Sequence, residues 1–269
     1  MKILVVDVGG SNLKIGITGR KGDPIKVPSG SEMNAARMTA AVKKVTQGWK
    51  YDAVSIGYPG PVVNGRPAKE PANLGQGWRG FDYRKAFGRP VRVVNDAAMQ
   101  AMGSYQGGRM LFLGLGTGLG SALVVRDVLV PMELAHLPYK NGRTYEDYVG
   151  ERGLRRLGRT RWTRHVHKVV ALLQAGLQCD YVVLGGGQTK KLKSLPSGVR
   201  VGDNAKAILG GIRLWEQAKR ARRVRKRAAA HSRRTRALRL RVARPGPTRR
   251  VPAEPAGTPE GPGEIPSAS

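Results

Sequence analysis

Residues Met1–Gly16, MKILVVDVGGSNLKIG, decide how the rest of the chain is read. A short apolar strand, Ile3 to Val6, delivers one carboxylate, Asp7, and the chain then turns through Gly9 and Gly10. Ser11, Asn12 and Lys14 follow on a second strand-like run. Adjacent glycines let backbone N–H groups approach an anion closely, because no side chain stands in the way. A carboxylate at a strand end can hold a hard cation such as Mg²⁺, directly or through water. Lys14 adds a positive charge nearby. Two readings fit this stretch alone, a plain Gly-Gly hairpin or a phosphate cradle, and the later segments must choose.

The 269 residues suffice for one large domain or two smaller ones. No apolar run approaches the roughly 20 residues that span a bilayer, and the N-terminus does not read as a secretory signal. Cys179 is the only cysteine, which excludes an internal disulfide and a multi-cysteine zinc site. A cytoplasmic protein is the expectation. The formal charge is +30, of which residues 1–218 keep +18. Between Lys219 and Arg250 stand 15 Lys and Arg and no acid. A polyanionic partner fits such a balance, whether nucleic acid, polyphosphate or nucleotide phosphates.

Residues 2–18 are expected to form a hairpin. Residues 32–49 form a helix candidate with Met33, Ala36, Ala40 and Val45 toward the core. Ala53–Ile56 is a strand running into Gly57-Tyr58-Pro59-Gly60-Pro61, too rich in Gly and Pro to continue a regular element. A loop from Asn73 to Gly80 follows, and then a strand, Val91–Val94, ends in Asn95-Asp96 before a helix over Ala97–Ser104. A polar pair at that place is either chemistry at a strand mouth or a helix cap. Met110–Leu113 and Ala122–Val125 are strands that flank Gly114-Leu115-Gly116-Thr117-Gly118-Leu119-Gly120, a second candidate cradle. Glu133 and His136 stand three residues apart. Thr144 is expected to cap a long helix, with Glu146 and Asp147 favourable to its dipole. Trp162, Val166, Val169, Val170 and Leu173 make its core stripe, and His165 and His167 lie on its surface. Tyr181–Leu184 is a strand feeding Gly185-Gly186-Gly187, and 205–215 is a final apolar helix.

In this order the segments resemble the sugar kinase branch of the actin-like ATPase (ribonuclease H-like) superfamily, and more closely the ROK family with its polyphosphate glucokinase relatives. Asp7-Val8-Gly9-Gly10-Ser11 with Lys14 looks like the first phosphate motif, and Gly114 to Gly120 like the second. Tyr58-Pro59-Gly60-Pro61-Val62, and Asn73 with Trp78 and Asp82, resemble the sugar-side loops. Asn95-Asp96-Ala97 matches the signature whose Asp is the family's base. Glu133-Leu134-Ala135-His136-Leu137 looks like the sugar-contact element, with Ala135 in place of the usual glycine. Gly185-Gly186-Gly187 resembles the donor-side motif. The zinc motif found after the His in many ROK kinases has no cysteines here, so no zinc is expected.

The resemblance implies an α/β, two-lobed fold. Its lobes would be residues 1–107 and 108–203, joined by a helix over 204–218, with a disordered basic tail at 219–269. It implies a glucokinase using polyphosphate or ATP with Mg²⁺, Asp96 as general base, and Asp7 positioning the metal. Asn73, Asn95, Glu133 and His136 would bind glucose. Gly9, Gly10, Ser11, Lys14, Gly116, Thr117, Gly118, Gly186 and Gly187 would hold the donor. A homodimer is implied, with no membrane partner. An ATP-only hexose kinase or a non-catalytic sugar sensor are the nearer alternatives. A nucleic-acid-binding protein is a more distant one, since no recognisable nucleic-acid module is present. The tail is open to three readings: a polyanion tether, a solvated extension, or the product of a frameshift in GC-rich DNA.

Overall fold

Alternating side chains in β1 (Ile3–Val8) serve two cores at once. Leu4, Val6 and Val8 face one and Ile3 and Val5 the other, as the period of two along a strand requires. The computed structural model describes residues 1–203 and 206–216. β1 turns back antiparallel into β2 (Asn12–Ile17), as the glycine pair predicts, and β2 pairs with β3 (Ile25–Pro28). After α1 (Ala35–Val45), β4 (Ala53–Tyr58) returns parallel to β1. A small ribbon, β5 (Val62–Val63) and β6 (Arg66–Pro67), and α2 (Tyr83–Phe87) lead to β7 (Val91–Asn95), parallel to β4. The first sheet has the order β3-β2-β1-β4-β7.

α3 (Asp96–Ser104) crosses to the second sheet. That sheet holds β8 (Arg109–Leu115), β9 (Leu119–Val125) and β10 (Val128–Met132). A two-stranded ribbon, β11 (Pro138–Lys140) and β12 (Arg143–Thr144), precedes α4 (Tyr145–Val149) and α5 (Glu151–Leu177). β13 (Tyr181–Gly185) and β14 (Val199–Val201) complete the sheet. Its order, β10-β9-β8-β13-β14, repeats the first sheet's pattern of antiparallel meander and parallel additions. The two-lobed α/β fold implied by the resemblance is therefore present.

Between the sheets lie α3 and a helix over 206–216, here α6. Met99, Met102, Phe112, Val183, Ala207 and Leu214 form this middle core. The two helices pass so closely that a Cβ on Gly103 would overlap the Lys206 carbonyl oxygen, and one on Gly210 that of Met99. Glycine at both positions permits the crossing. Met38 and Val42 of α1 cover the outer face of the first sheet, and Trp162, Val166, Val169, Val170 and Leu173 of α5 cover that of the second. The α5 stripe is as the sequence predicts.

Several expectations need correction. α1 turns Ala35, Met38, Thr39 and Val42 inward, while Ala36 and Ala40 are exposed. The Asn34 cap sets that phase, and Thr39 is buried because its hydroxyl donates to the Ala35 carbonyl. β4 continues through Gly57 and Tyr58 despite the Pro-Gly that follows. Thr144 caps only the five-residue α4, in a capping box with Asp147, and Gly150 then starts α5. α5 itself breaks at Gly158, whose φ is 72° and ψ 161°. His165 is not a bare surface residue, since Tyr139 Oη and its Nδ1 lie 3.0 Å apart and its ring packs on Tyr148. His167 Nε2 lies 3.0 Å from the Ser194 carbonyl oxygen. The expectations for 219–269 lie outside the described residues.

Candidate active site

Where the two sheets face each other, the loops at their ends enclose a cavity of about 480 Å³. Its wall draws on both lobes: Gly9, Gly10 and Ser11 from the first turn, Gly116, Thr117 and Gly118 from the second, and Gly186 from the third. Asn73, Asp96, Glu133 and His136 line it as well. Residues as far apart in sequence as Gly9 and Gly186 thus share one space of a size that suits a small ligand. Asp7, Lys14, Asn95 and Gly187 are not on that wall.

Each loop is held by specific bonds. Gly9 N–H donates to the Asn12 carbonyl at 3.0 Å and closes the first turn. Ser29 fastens it from the side, its hydroxyl donating to the Gly9 carbonyl at 2.7 Å. At the second turn, Glu151 N–H at the head of α5 donates to the Gly116 and Thr117 carbonyls. The buried Ser121 donates to the Met132 carbonyl and accepts from Leu134 N–H, which fixes the strap that carries Glu133 and His136. The Asn73 loop is gathered by Glu70, whose carboxylate accepts from the N–H groups of Gly77, Trp78 and Arg79 at 3.0–3.1 Å. Trp78 is wholly buried and Asp82 caps α2, so both shape this loop from outside the cavity.

Asp96 is the first residue of α3, and its carboxylate accepts from Ala97 N–H at 2.8 Å. Burial is the largest influence on it and the charge of Asp7 the next, and together they push its pKa up to about 7. The Ala97 and Asp96 backbone N–H groups and the more distant Lys14 pull the other way. A carboxylate poised near neutrality can accept a proton and later release it. Asn95 acts next to it as a fastener. Its oxygen caps α3 by accepting from Ala97 and Ala98, and its nitrogen donates to the Gly60 carbonyl at 3.0 Å. The helix-cap reading of this pair accounts for Asn95, while Asp96 faces the cavity.

Asp7 opposes Lys14 across the β1–β2 pair, and Lys14 Nζ donates to its carboxylate at 3.0 Å. Burial still raises the Asp7 pKa, with Lys14 opposing. The expectation that Asp7 positions Mg²⁺ meets a competing partner here. Its side chain is only 4% exposed and one of its oxygens carries an ammonium group. Among the described residues no three His, Cys, Asp or Glu side chains converge to hold a metal. These residues do not fit an all-protein Mg²⁺ cage, and Mg²⁺ commonly binds through substrate phosphates and water instead.

Among the lining residues that the sequence reading did not place at the site, Glu146 is the one that carries charge. Glu146, read there as a helix-dipole acid, turns its carboxylate to the second turn and accepts from Leu119 N–H at 3.2 Å. Arg152 approaches its other oxygen at 3.6 Å. The signal available was its place in the first turn of a capped helix, which does not report a partner 27 residues away.

No family model matches the chain. The polyphosphate glucokinase of Mycobacterium tuberculosis strain H37Rv is 27% identical over 207 residues, covering 69% of this chain and 77% of that protein. The crystal structure of an inorganic polyphosphate/ATP-glucomannokinase from Arthrobacter sp. strain KM superposes with a TM-score of 0.67 at 24% identity, over 81% of this chain and 99% of that one. The chain has the fold of the ROK sugar kinases and is related to the polyphosphate glucokinases. A ROK family glucokinase from Streptomyces griseus, solved with glucose and AMPPNP, agrees in fold, with a TM-score of 0.61 at 18% identity over 78% of this chain and 98% of that one.

Proposed function

We propose that this protein is a glucokinase that transfers a phosphoryl group from inorganic polyphosphate, ATP or both to the 6-hydroxyl of glucose. The observation that carries the reading is the placement of Asp96, a carboxylate raised to about 7, in one cavity with two glycine turns and the Glu133–His136 strap. The similarity to polyphosphate glucokinases supports the choice of donor, and the formal +18 of residues 1–218 suits a polyanion.

Phosphoryl transfer leaves the protein little covalent work beyond positioning and charge stabilisation. Asp96 accepts the proton of the sugar hydroxyl as the hydroxyl oxygen bonds to the terminal phosphorus and the bond to the leaving group, the polyphosphate chain shortened by one unit or ADP, breaks. Asn73, Glu133, His136 and Glu146 hold the remaining hydroxyls. Asn95 fixes the base by capping its helix and tying it to Gly60. The N–H groups of Gly9, Gly10 and Gly116–Gly118, with Ser11 and Thr117 hydroxyls, receive donor phosphates, and Gly186 and Gly187 bound the donor side. Lys14 offsets the charge of Asp7. Mg²⁺, when it accompanies the donor, supplies charge neutralisation on the phosphates.

The lobes on this reading are residues 1–107 and 108–203 with the helix described over 206–216 between, and they close on the substrates to exclude water. A homodimer in the cytoplasm completes the proposal. No helix among the described residues is long and apolar enough to cross a membrane. The test is a matrix of sugars against polyphosphate and ATP, with the product identified as glucose 6-phosphate. Absence of any sugar phosphate with either donor would reject the reading.

A further inference from the structure

Beyond the cavity, the second lobe carries a run of cations with few acids opposite them. The segment after Gly186 holds Lys190, Lys191 and Lys193, all exposed. The N-terminal part of α5 holds Arg156, whose Nη2 donates to the Asp147 carbonyl at 2.9 Å, and, just past the break at Gly158, Arg159; both are exposed. These rows are fastened to each other, since Arg159 Nε donates to the Lys191 carbonyl at 2.6 Å and its Nη2 to that of Leu192 at 3.3 Å. Both rows begin at the cavity wall. Gly186 belongs to that wall, and the head of α5 is bonded to the Gly116–Thr117 carbonyls of the second turn. The acids of this region are already engaged: Glu146 lies beside Arg152, Glu151 beside Arg155, and Asp147 closes the α4 capping box. No carboxylate partner is found for Lys190, Lys191 or Lys193 among the described residues.

We infer that this tied pair of basic rows is the exit track for a long polyphosphate chain, which lies along Lys190, Lys191, Lys193, Arg156 and Arg159 while its terminal phosphates occupy the cavity. The inference rests on the proposed donor and adds where the rest of that donor binds. A linear polyanion with regular charges needs cations along its path, and on this inference only a chain longer than the triphosphate of ATP or tripolyphosphate engages them. Contacts of this kind act through counterion release, so they show as salt-dependent affinity rather than as turnover.

The test compares the full chain with the triple variant Lys190→Glu/Lys191→Glu/Lys193→Glu, assaying glucose phosphorylation with long-chain polyphosphate, tripolyphosphate and ATP. A second triple, to Gln, removes the charges without reversing them. Charge-matched reversal of Lys43, Lys44 and Lys50, around the end of α1 on the other lobe, controls for net charge. Residues 219–250 are the same in every variant, so any affinity of theirs cancels in the ratios. The expected result is a rise in KM for long-chain polyphosphate of about tenfold, smaller for the Gln triple. A shallower dependence of log KM on log salt should accompany it, with kcat and the KM values for ATP and tripolyphosphate within about twofold. Equal rises for short and long donors, an equal effect of the control triple, or no change would each overturn the track while leaving the donor reading intact. A wild-type chain that uses ATP but no polyphosphate would instead overturn the donor, and the track with it.

Discussion

The two glycine turns that face each other across the cavity look alike in sequence and differ in electrostatics. Each joins the first two strands of its sheet, and each is accompanied by one carboxylate and one cation. Beside the first turn the pair is interior: Asp7 is 4% exposed and Lys14 27%, 3.0 Å apart. Beside the second it is peripheral: Glu146 is 25% exposed and Arg152 78%, 3.6 Å apart. In the first turn a Cβ on Gly10 would meet nothing, whereas at the second a Cβ on Gly118 would collide with the Glu146 carboxylate. The first turn is open at Gly10 and lies beside a buried ion pair. The other already holds a carboxylate, which stands on the wall of the same cavity.

The largest effect expected is at Asp96, the group both turns surround. Asp96→Asn should lower kcat by about 10²–10⁴-fold with glucose affinity largely kept. In the parent protein log kcat/KM should fall with unit slope as pH drops below about 7, because only the ionised carboxylate accepts the proton. The stability sign is the reverse. A carboxyl whose folded pKa is raised contributes stability fully below its unfolded value, and that contribution is lost as pH rises through about 7. Thermal melts at pH 8 should therefore find Asp96→Asn more stable than its parent, with the gap closing toward pH 4. A variant of unchanged turnover and unchanged melting profile would remove Asp96 from the centre of the comparison.

Next comes the interior pair. Lys14→Met leaves Asp7 a buried charge with no cation, which should destabilise the fold by about 2–4 kcal/mol at pH 8. Burial already raises the Asp7 pKa and Lys14 opposes it, so losing Lys14 raises it further. The deficit should accordingly shrink as falling pH protonates Asp7. Denaturant midpoints measured at several pH values check this. A deficit that does not change with pH would mean that Lys14 acts by packing alone.

How legible these differences were in the sequence depends on how far each contact reaches. The β1–β2 hairpin and the Trp162–Leu173 stripe of α5 were legible because strand and helix periods are local. The face of α1 was not. Ala36 and Ala40 are small enough to sit on either side, and a buried Thr39 bonded back to Ala35 is polar by composition. At the site, Asp96 and the glycines could be ordered along the chain, since strand ends and turns mark themselves. Whether Asn95 was ligand or cap depended on Gly60, 35 residues away, and the work of Glu70 and Glu146 depends on loops that only tertiary packing brings to them.

Smaller still is the effect of filling the second turn. Gly118→Ala places its methyl on the Glu146 carboxylate, the free end of a flexible side chain, so the side chain swings and the fold survives. The loss is the Leu119 N–H bond and the placement of a charge on the cavity wall. Glucose KM should rise about tenfold, the scale of one hydrogen bond to a charged group, with little change in melting temperature. Gly10→Ala, with open space around its Cβ, should leave the melting temperature and glucose KM unchanged. If the two variants behave alike, the turns are equivalent and the contrast drawn from Glu146 fails.

The smallest expected effect is at Arg152. Its guanidinium is mostly in water, so its attraction to Glu146 is screened, and holding a long side chain in place costs entropy that offsets it. Exposed pairs of this kind contribute about 0–1 kcal/mol. Arg152→Ala should therefore move the melting temperature by no more than about 2 °C, against the larger shift at Lys14. Glu146 keeps its bond to Leu119 N–H without the arginine, so glucose KM should stay within about twofold. A large rise in glucose KM would mean that the peripheral pair sets the position of Glu146 after all, and the two turns would then both depend on their cations.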